Sequence, residues 1–142
     1  MTKSIDPDHA RPDGAGDGMV AAVGKLTEAL ERVERARGHL YEFHQLIGGA
    51  DEKVSQAAAW LEEAGEVDWA QRLRTEIVGR NVLQGRWTFQ VVEEFDDGYY
   101  AEILAIERAA RDAFMEGRRH VYEGEMKERL RSPGRKGHEP TP

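Results

Sequence analysis

A chain of 142 residues with a net charge of −7 has the length of a single domain and enough residues to bury a core. It has no cysteine, which excludes disulfides, zinc–thiolate sites and thiol catalysis. The acidic balance argues against a duplex-binding surface, so we expect no nucleic-acid partner. No apolar run approaches the length of a membrane span or resembles a secretory signal, and we therefore expect a cytoplasmic protein with no membrane contact.

Both ends of the sequence are poor in residues that a core could bury. Residues 1–17 contain two prolines and four aspartates, and residues 132–142, SPGRKGHEPTP, contain three prolines and two glycines. A helix does not continue through such a composition. The sequence therefore predicts a disordered N-terminal arm at 1–17, a helical bundle domain at 18–131 and a disordered C-terminal tail at 132–142.

The first predicted helix is marked by an apolar stripe. Its positions follow steps of four and three residues, which is the spacing of one helix face, and two polar residues, Arg37 and His44, interrupt the stripe. This pattern predicts a long helix over 18–47, ended by Gly48 and Gly49. The apolar positions are Met19, Val23, Leu26, Leu30, Val33, Leu40 and Ile47.

Three further helices are expected after the glycine pair. Two short helices at 51–64 and 66–79, with a glycine between them, form a hairpin. A polar turn then leads to a last long helix at 87–131. Its glycines at 117 and 124 are candidate breaks, because glycine weakens a helix interior by about 1 kcal/mol.

These lengths predict an all-α, antiparallel helical bundle with two long helices and a short helical hairpin. Short connections make successive helices antiparallel neighbours, so residues whose numbers add up to about 134 should lie level on the two long helices. The hairpin is too short to cover the lower half of this pair. A homodimer that completes a four-helix bundle would cover Leu30 and Ile106, and the end of the last helix would cross the partner or project as an arm.

The alignment places Arg37 and His44 level with the acidic run EEFDD at 93–97. Because a charge on a core face is seldom left unpaired, we expect Asp97 or Glu94 to bind Arg37. One interpretation is an ion-pair layer that fixes the helix register, in which His44 also forms a hydrogen bond, and the other is a small-molecule pocket. The pocket would be lined by Arg37, Tyr41, His44, Glu94, Asp97 and Tyr99.

Metal binding is a further alternative. A ferritin-like carboxylate site uses Glu-x-x-His motifs on two helices, and no histidine here has a glutamate three residues before it. The weak candidates for a metal half-site are Glu116, His120 and Glu123, which would share one helical face.

An acidic, magnesium-dependent hydrolase is the remaining enzymatic alternative. It needs paired acidic motifs, and Glu28-x-x-Glu31 with Glu93-x-x-Asp96 has the right residue types. The alignment nevertheless separates the two motifs by about two helical turns. We recognise no nucleophile and no phosphate-binding loop, so no catalytic residue is assigned.

The C-terminal segment is locally basic. Seven lysines and arginines lie between Arg118 and His138. A solvated helix end is the simplest interpretation, and a protein or anionic partner at this segment is the alternative.

Two segments resemble parts of an uncharacterised family of short actinobacterial helical proteins. They are GRNVLQGRWTFQVVEEFDDGYY at 79–100 and RRHVYEGEMKERLRSPGRKGHEPTP at 118–142. The resemblance covers most of residues 25–140 and implies a bacterial, cytoplasmic protein. The family has no assigned activity, so no functional residue is carried over.

The sequence therefore predicts a non-enzymatic helical interaction or structural protein without a cofactor. The alternative is a metal- or small-molecule-binding helical bundle with its site between the first and last helices.

Overall fold

The computed structural model describes residues 4–142, and residues 1–3 of the predicted N-terminal arm lie outside the described residues. The described chain is helical and contains no β-strand, which confirms the all-α prediction. None of its helices combines the length and apolar composition needed to cross a bilayer. The helices are α1 (Asp17–Glu63), α2 (Val67–Glu76), α3 (Thr88–Phe95), α4 (Ala101–Met115) and α5 (Val121–Leu130).

The first helix is longer than predicted. α1 has 47 residues and passes through Gly48 and Gly49, so the predicted end at this pair is wrong, as is a separate helix at 51–64. Glycine permits a helix end without requiring one, and neither residue adopts the positive φ of a helix C-terminus. α1 ends instead before Gly65, which has a φ of +86°.

The predicted helix at 87–131 is broken twice. A kink at Asp96–Tyr100 follows α3, because Gly98 has non-helical dihedral angles. The second break lies between α4 and α5, where Glu116, Gly117 and His120 all have positive φ. The candidate break at Gly117 is therefore confirmed, whereas Gly124 stays inside α5.

The chain divides into two compact units. The first, here called the terminal unit, contains Met1–Val33 and Ala101–Pro142. The second, here called the middle unit, is Glu34–Tyr100.

The core of the terminal unit lies between α1, α4 and α5. Val20 and Val23 of α1 pack with Met115 and Val121, and each of the four is at most 7% exposed. We expected a second copy of the chain to cover this part of α1 and 118–131 to form a crossing or projecting arm. The expected arm is wrong, because the break after Met115 lets α5 turn back, so that Val121 packs against Val20 and Val23. The homodimer itself stays a prediction.

Two glycines allow the close packing around α5. A Cβ at Gly24 would lie 3.2 Å from the Cβ of Tyr122, so α5 sits directly against α1 at this position. A Cβ at Gly124 would lie 2.8 Å from the Cβ of His9 and 3.0 Å from its carbonyl oxygen. The lack of a side chain at Gly124 therefore allows the N-terminal segment to pack against α5.

The described part of the N-terminal segment is tied to the terminal unit by polar contacts. Arg11 donates to both carboxylate oxygens of Glu125, at 2.5 and 2.9 Å. Arg118 donates to the carbonyl oxygen of Ala10 at 2.8 Å, and Pro12 is buried. These residues therefore have defined partners, although their composition predicted a disordered arm.

The C-terminal segment has partners on α5 as well. Lys127 donates to the carbonyl oxygen of Pro140 at 3.0 Å, and Arg131 donates to that of His138 at 3.2 Å. Two of the basic side chains that suggested an anionic partner thus bind backbone oxygens of their own chain.

A buried ion pair supports the turn between α4 and α5. The Glu107 side chain is 5% exposed and accepts hydrogen bonds from Thr27 Oγ1 at 3.0 Å and Arg111 Nε at 3.1 Å. Arg111 also donates to the carbonyl oxygen of Gly117 at 2.9 Å. One carboxylate therefore connects α1, α4 and the turn that directs α5.

Candidate functional site

Arg37 binds the acidic run predicted to hold it, but through a different residue. Its Nε and Nη2 donate to the two carboxylate oxygens of Asp96, at 2.7 and 2.9 Å. The expectation of Asp97 or Glu94 as the partner is wrong. Asp96 has right-handed helical dihedral angles at the C-terminus of α3, and it lies one residue before Asp97 and two residues after Glu94.

The guanidinium of Arg37 also lies near two aromatic rings. Its central carbon is 5.9 Å from the centre of the Tyr41 ring and 5.7 Å from that of Tyr100. These distances fit weak cation–π contacts. The hydrogen bond from Arg37 lowers the pKa of Asp96, and the hydrogen bond to Glu34 raises the pKa of Tyr100. The layer is therefore fully paired within the chain.

His44 has its own partner away from the arginine. Its Nδ1 lies 2.7 Å from Oγ1 of Thr88, the first residue of α3. The expected hydrogen bond of His44 within the arginine layer is thus wrong, although the Tyr41 and His44 rings are in contact, with centres 5.7 Å apart.

Three side-chain contacts set the direction of the two facing segments in the middle unit. Positions 34, 37 and 44 of α1 meet positions 100, 96 and 88, so the partner number falls as the α1 number rises. This order is the one expected for antiparallel segments. The antiparallel arrangement of a whole bundle stays a prediction.

The remaining predicted pocket residues point elsewhere. Glu94 pairs with Arg86. Asp97 is exposed, and Tyr99 is 62% exposed with its ring stacked near that of Phe95. The structure therefore groups Arg37 and Tyr41 with Asp96, and this closed pairing favours the ion-pair interpretation over a ligand pocket.

The predicted metal half-site is rearranged. Glu116 does not share a helical face with the other two candidates, because it adopts a φ of 52° in the turn and pairs with Arg118. His120 and Glu123 remain close, with Nδ1 and Oε2 3.8 Å apart. The third acidic group is Glu31 of α1, and one donor atom from each of the three residues lies within 4.8 Å of the others.

Glu31 was noted in the sequence only as part of a Glu-x-x-Glu motif. The pairing of Glu31 with His120 depends on the turn that brings α5 back to α1, and the local sequence gives no signal for that pairing.

Comparison of the chain with protein-family models, with curated proteins and with solved structures finds no match.

Proposed function

We propose that this chain is a helical interaction protein that forms a homodimer through its middle unit. The observation that carries the proposal is the exposure of that unit's large apolar side chains. All three tryptophans lie there, and they are 48–68% exposed. The exposed set is Tyr41, Phe43, Leu46, Trp60, Val67, Trp69, Ile77, Val82, Leu83, Trp87, Phe89 and Tyr99.

The middle unit has a smaller apolar core than a domain of its length normally has. Its buried hydrophobic residues are Ala58, Ala70 and Val92, two of which are alanines. The terminal unit, in contrast, buries larger side chains such as Leu30 and Met115. A domain of this length normally hides about 60% of the surface of its unfolded chain. We infer that the middle unit gains the missing burial from another molecule.

The part of α1 in the middle unit carries two apolar faces. One continues the predicted stripe through Leu40 and Ile47 to Leu61, and these residues are half-buried. The other contains Phe43, Leu46 and Trp60, which are at least 40% exposed. Ala50 and Ala57 lie between Leu46 and Trp60 along the helix, at the spacing of this second face. This second face is suited to a partner helix.

Two neighbouring grooves add to the apolar surface. They have volumes of about 260 and 280 Å³ and share Ile47, Asp51, Arg80 and Val82 in their walls. The same unit thus presents both projecting apolar side chains and grooves that could receive them. A two-fold dimer places the same patch of both copies in contact, and projecting side chains beside grooves allow such a patch to complement itself.

The exposed apolar area of the middle unit, summed over its side chains, is of the order that a standard interface buries. A half-exposed aromatic or large aliphatic side chain leaves roughly 70–120 Å² in water. About eight to ten such side chains supply the roughly 800 Å² per partner of a standard interface. The middle unit has twelve.

Charge opposes this pairing but does not outweigh it. Residues 34–100 contain thirteen Asp and Glu and seven Lys and Arg, a net charge of −6. Two such charges about 20 Å apart in about 0.1 M salt repel by on the order of 1 kcal/mol. A standard interface of about 1,600 Å² in total is a little over half apolar, so its burial gives a gross apolar gain of about 23 kcal/mol per dimer, against an association cost of about 4–15 kcal/mol. Added salt should therefore tighten the dimer.

Tryptophan emission tests the proposal directly, because every tryptophan lies in the middle unit. Dilution of the full chain from micromolar to nanomolar concentration should shift the emission to longer wavelength as the dimer separates. Sedimentation equilibrium over the same range should show the mass of two chains falling to that of one. A single-chain mass at every concentration, with constant emission, would contradict the proposal.

A further inference from the structure

We propose that Glu31, His120 and Glu123 bind a divalent first-row transition metal ion in the terminal unit. Glu31 comes from α1, whereas His120 and Glu123 come from the start of α5. Their donor atoms lie within 4.8 Å of one another. The set lies outside the middle unit, so its test is independent of the proposed dimer.

The donor chemistry selects the class of ion. Imidazole nitrogen suits zinc, iron, nickel and copper, whereas magnesium and calcium prefer oxygen ligands alone. Two carboxylates and one imidazole provide three protein ligands and leave at least one coordination position open. The composition therefore favours zinc or a similar ion over magnesium.

Small movements of the three side chains would bring their donor atoms to the separations found in a metal coordination sphere. Metal–ligand bonds of about 2.0–2.2 Å place neighbouring ligand atoms roughly 3–3.5 Å apart. The His120 to Glu123 distance of 3.8 Å is already close to that value. The side chains of His120 and Glu123 are 50% and 45% exposed, so small rotamer changes suffice.

Electrostatics also favours a cation here. In residues 4–142, no lysine or arginine forms an ion pair with Glu31 or Glu123. Lys25 pairs with Glu28, and Arg118 pairs with Glu116. Two neighbouring carboxylates without a counter-charge repel each other, and a bound divalent ion would remove that repulsion.

The backbone at the start of α5 is held in place by its surroundings. His120 has a left-handed backbone conformation, with φ 56° and ψ 39°, at the start of α5. Arg119, the residue before His120, accepts a hydrogen bond at its carbonyl oxygen from Nδ1 of His9 at 2.7 Å. The rings of His9 and His120 meet edge to face. His9 is thus a positioning residue for His120.

A groove beside the three residues gives access to the open coordination position. Its volume is about 290 Å³, and its walls include Glu31 and Glu123 together with Glu28 and Tyr122. Water or a small anionic ligand could enter from this side and complete the coordination of the ion.

Calorimetric titration of chelator-treated full-length protein with Zn²⁺ tests the site, and Co²⁺ absorption reports its geometry. We expect one ion per chain. Glu31→Gln and His120→Asn should each weaken binding by roughly tenfold or more, since loss of an outer partner alone costs about that much. Asparagine is chosen because it tolerates the left-handed conformation of position 120.

Two matched variants serve as controls. Glu102→Gln removes an exposed carboxylate of α4 outside the set and outside the groove, and His39→Asn removes an exposed histidine in the middle unit. Both should bind zinc like the unaltered chain. No stoichiometric zinc binding at micromolar concentration would overturn the proposal. Equal binding by His120→Asn, or equal affinity for Mg²⁺ and Zn²⁺, would overturn it as well.

Discussion

Glu107 and Arg111, one turn apart on α4, form an ion pair of 3.1 Å in which the Glu107 side chain is 5% exposed. Thr27 of α1 donates a hydrogen bond to the same carboxylate, and Arg111 continues to the carbonyl oxygen of Gly117. The position of α5 in the terminal unit therefore depends on a charged group that the apolar stripe of the sequence does not reveal.

Replacing Glu107 with alanine should strongly destabilise the terminal unit. Arg111, whose side chain is 19% exposed, would lose its carboxylate partner. Breaking a buried pair in this way costs about 3–5 kcal/mol. Chemical denaturation measures the loss. Glu102→Ala, an exposed position on the same helix, should change stability little, and an equal loss in both variants would argue against the buried pair.

Alanine should have opposite effects at two helical glycines. At Gly124 a Cβ would meet the backbone oxygen of His9 at 3.0 Å, so we expect Gly124→Ala to lower the melting temperature and loosen the N-terminal segment. At Gly38 nothing lies within 4 Å of a Cβ, so Gly38→Ala should stabilise α1 by up to about 1 kcal/mol. Stabilisation at both positions would show that His9 does not pack on α5.

The Arg37–Asp96 pair predicts a defined pH dependence. Its hydrogen bond lowers the pKa of Asp96 below the ordinary value of 3.8, so the native state binds the aspartate proton less readily than the unfolded chain does. The stabilising contribution is therefore fully present above that ordinary pKa and is lost as the pH falls through the lowered pKa. Both side chains are about one-third exposed, so the effect should be modest.

Thermal melts between neutral and acidic pH measure this contribution. Asp96→Asn should lower the melting temperature at neutral pH and approach the unaltered chain in acid. Asp97→Asn, the exposed neighbour, should follow the unaltered chain throughout. A difference between Asp96→Asn and the unaltered chain that stays constant with pH would refute the ion-pair explanation.

Arg11→Ala should release the N-terminal segment. The substitution removes the paired hydrogen bonds to Glu125 and the contact with Asp17. Hydrogen exchange in residues 4–16 should become faster than in the unaltered chain. Arg35→Ala, an exposed arginine of α1, is the control. Fast exchange in the unaltered chain would instead support the disordered arm predicted from composition.

The sequence predicted the all-α class and most of the first helix, because apolar spacing marks a helix face whatever the tertiary structure around it. It failed at Gly48 because glycine weakens a helix without ending it. The stripe in fact continues through Ile47, Val54 and Leu61, and packing along that stripe outweighs the cost of two glycines.

The turn after Met115 was harder to predict. Two of its positive φ values belong to Glu116 and His120, residue types for which no local pattern requires that conformation. If α5 is taken as a continuation of α4, the packing of α5 against Val20 and the approach of His120 to Glu31 cannot be deduced. The alignment of the two helices fixes the level of Arg37 only to about one turn, so it could not select Asp96 over the neighbouring carboxylates.

The most direct test of the proposed dimer compares two exposed leucines. Leu46, 65% exposed, lies on the second apolar face of α1 in the middle unit, and Leu130, 75% exposed, lies at the end of α5 in the terminal unit. Sedimentation equilibrium at micromolar concentration should give two chains for the unaltered protein and for Leu130→Glu, and one folded chain for Leu46→Glu. A dimer that survives Leu46→Glu but dissociates with Leu130→Glu would contradict the account, as would a folded monomer in all three.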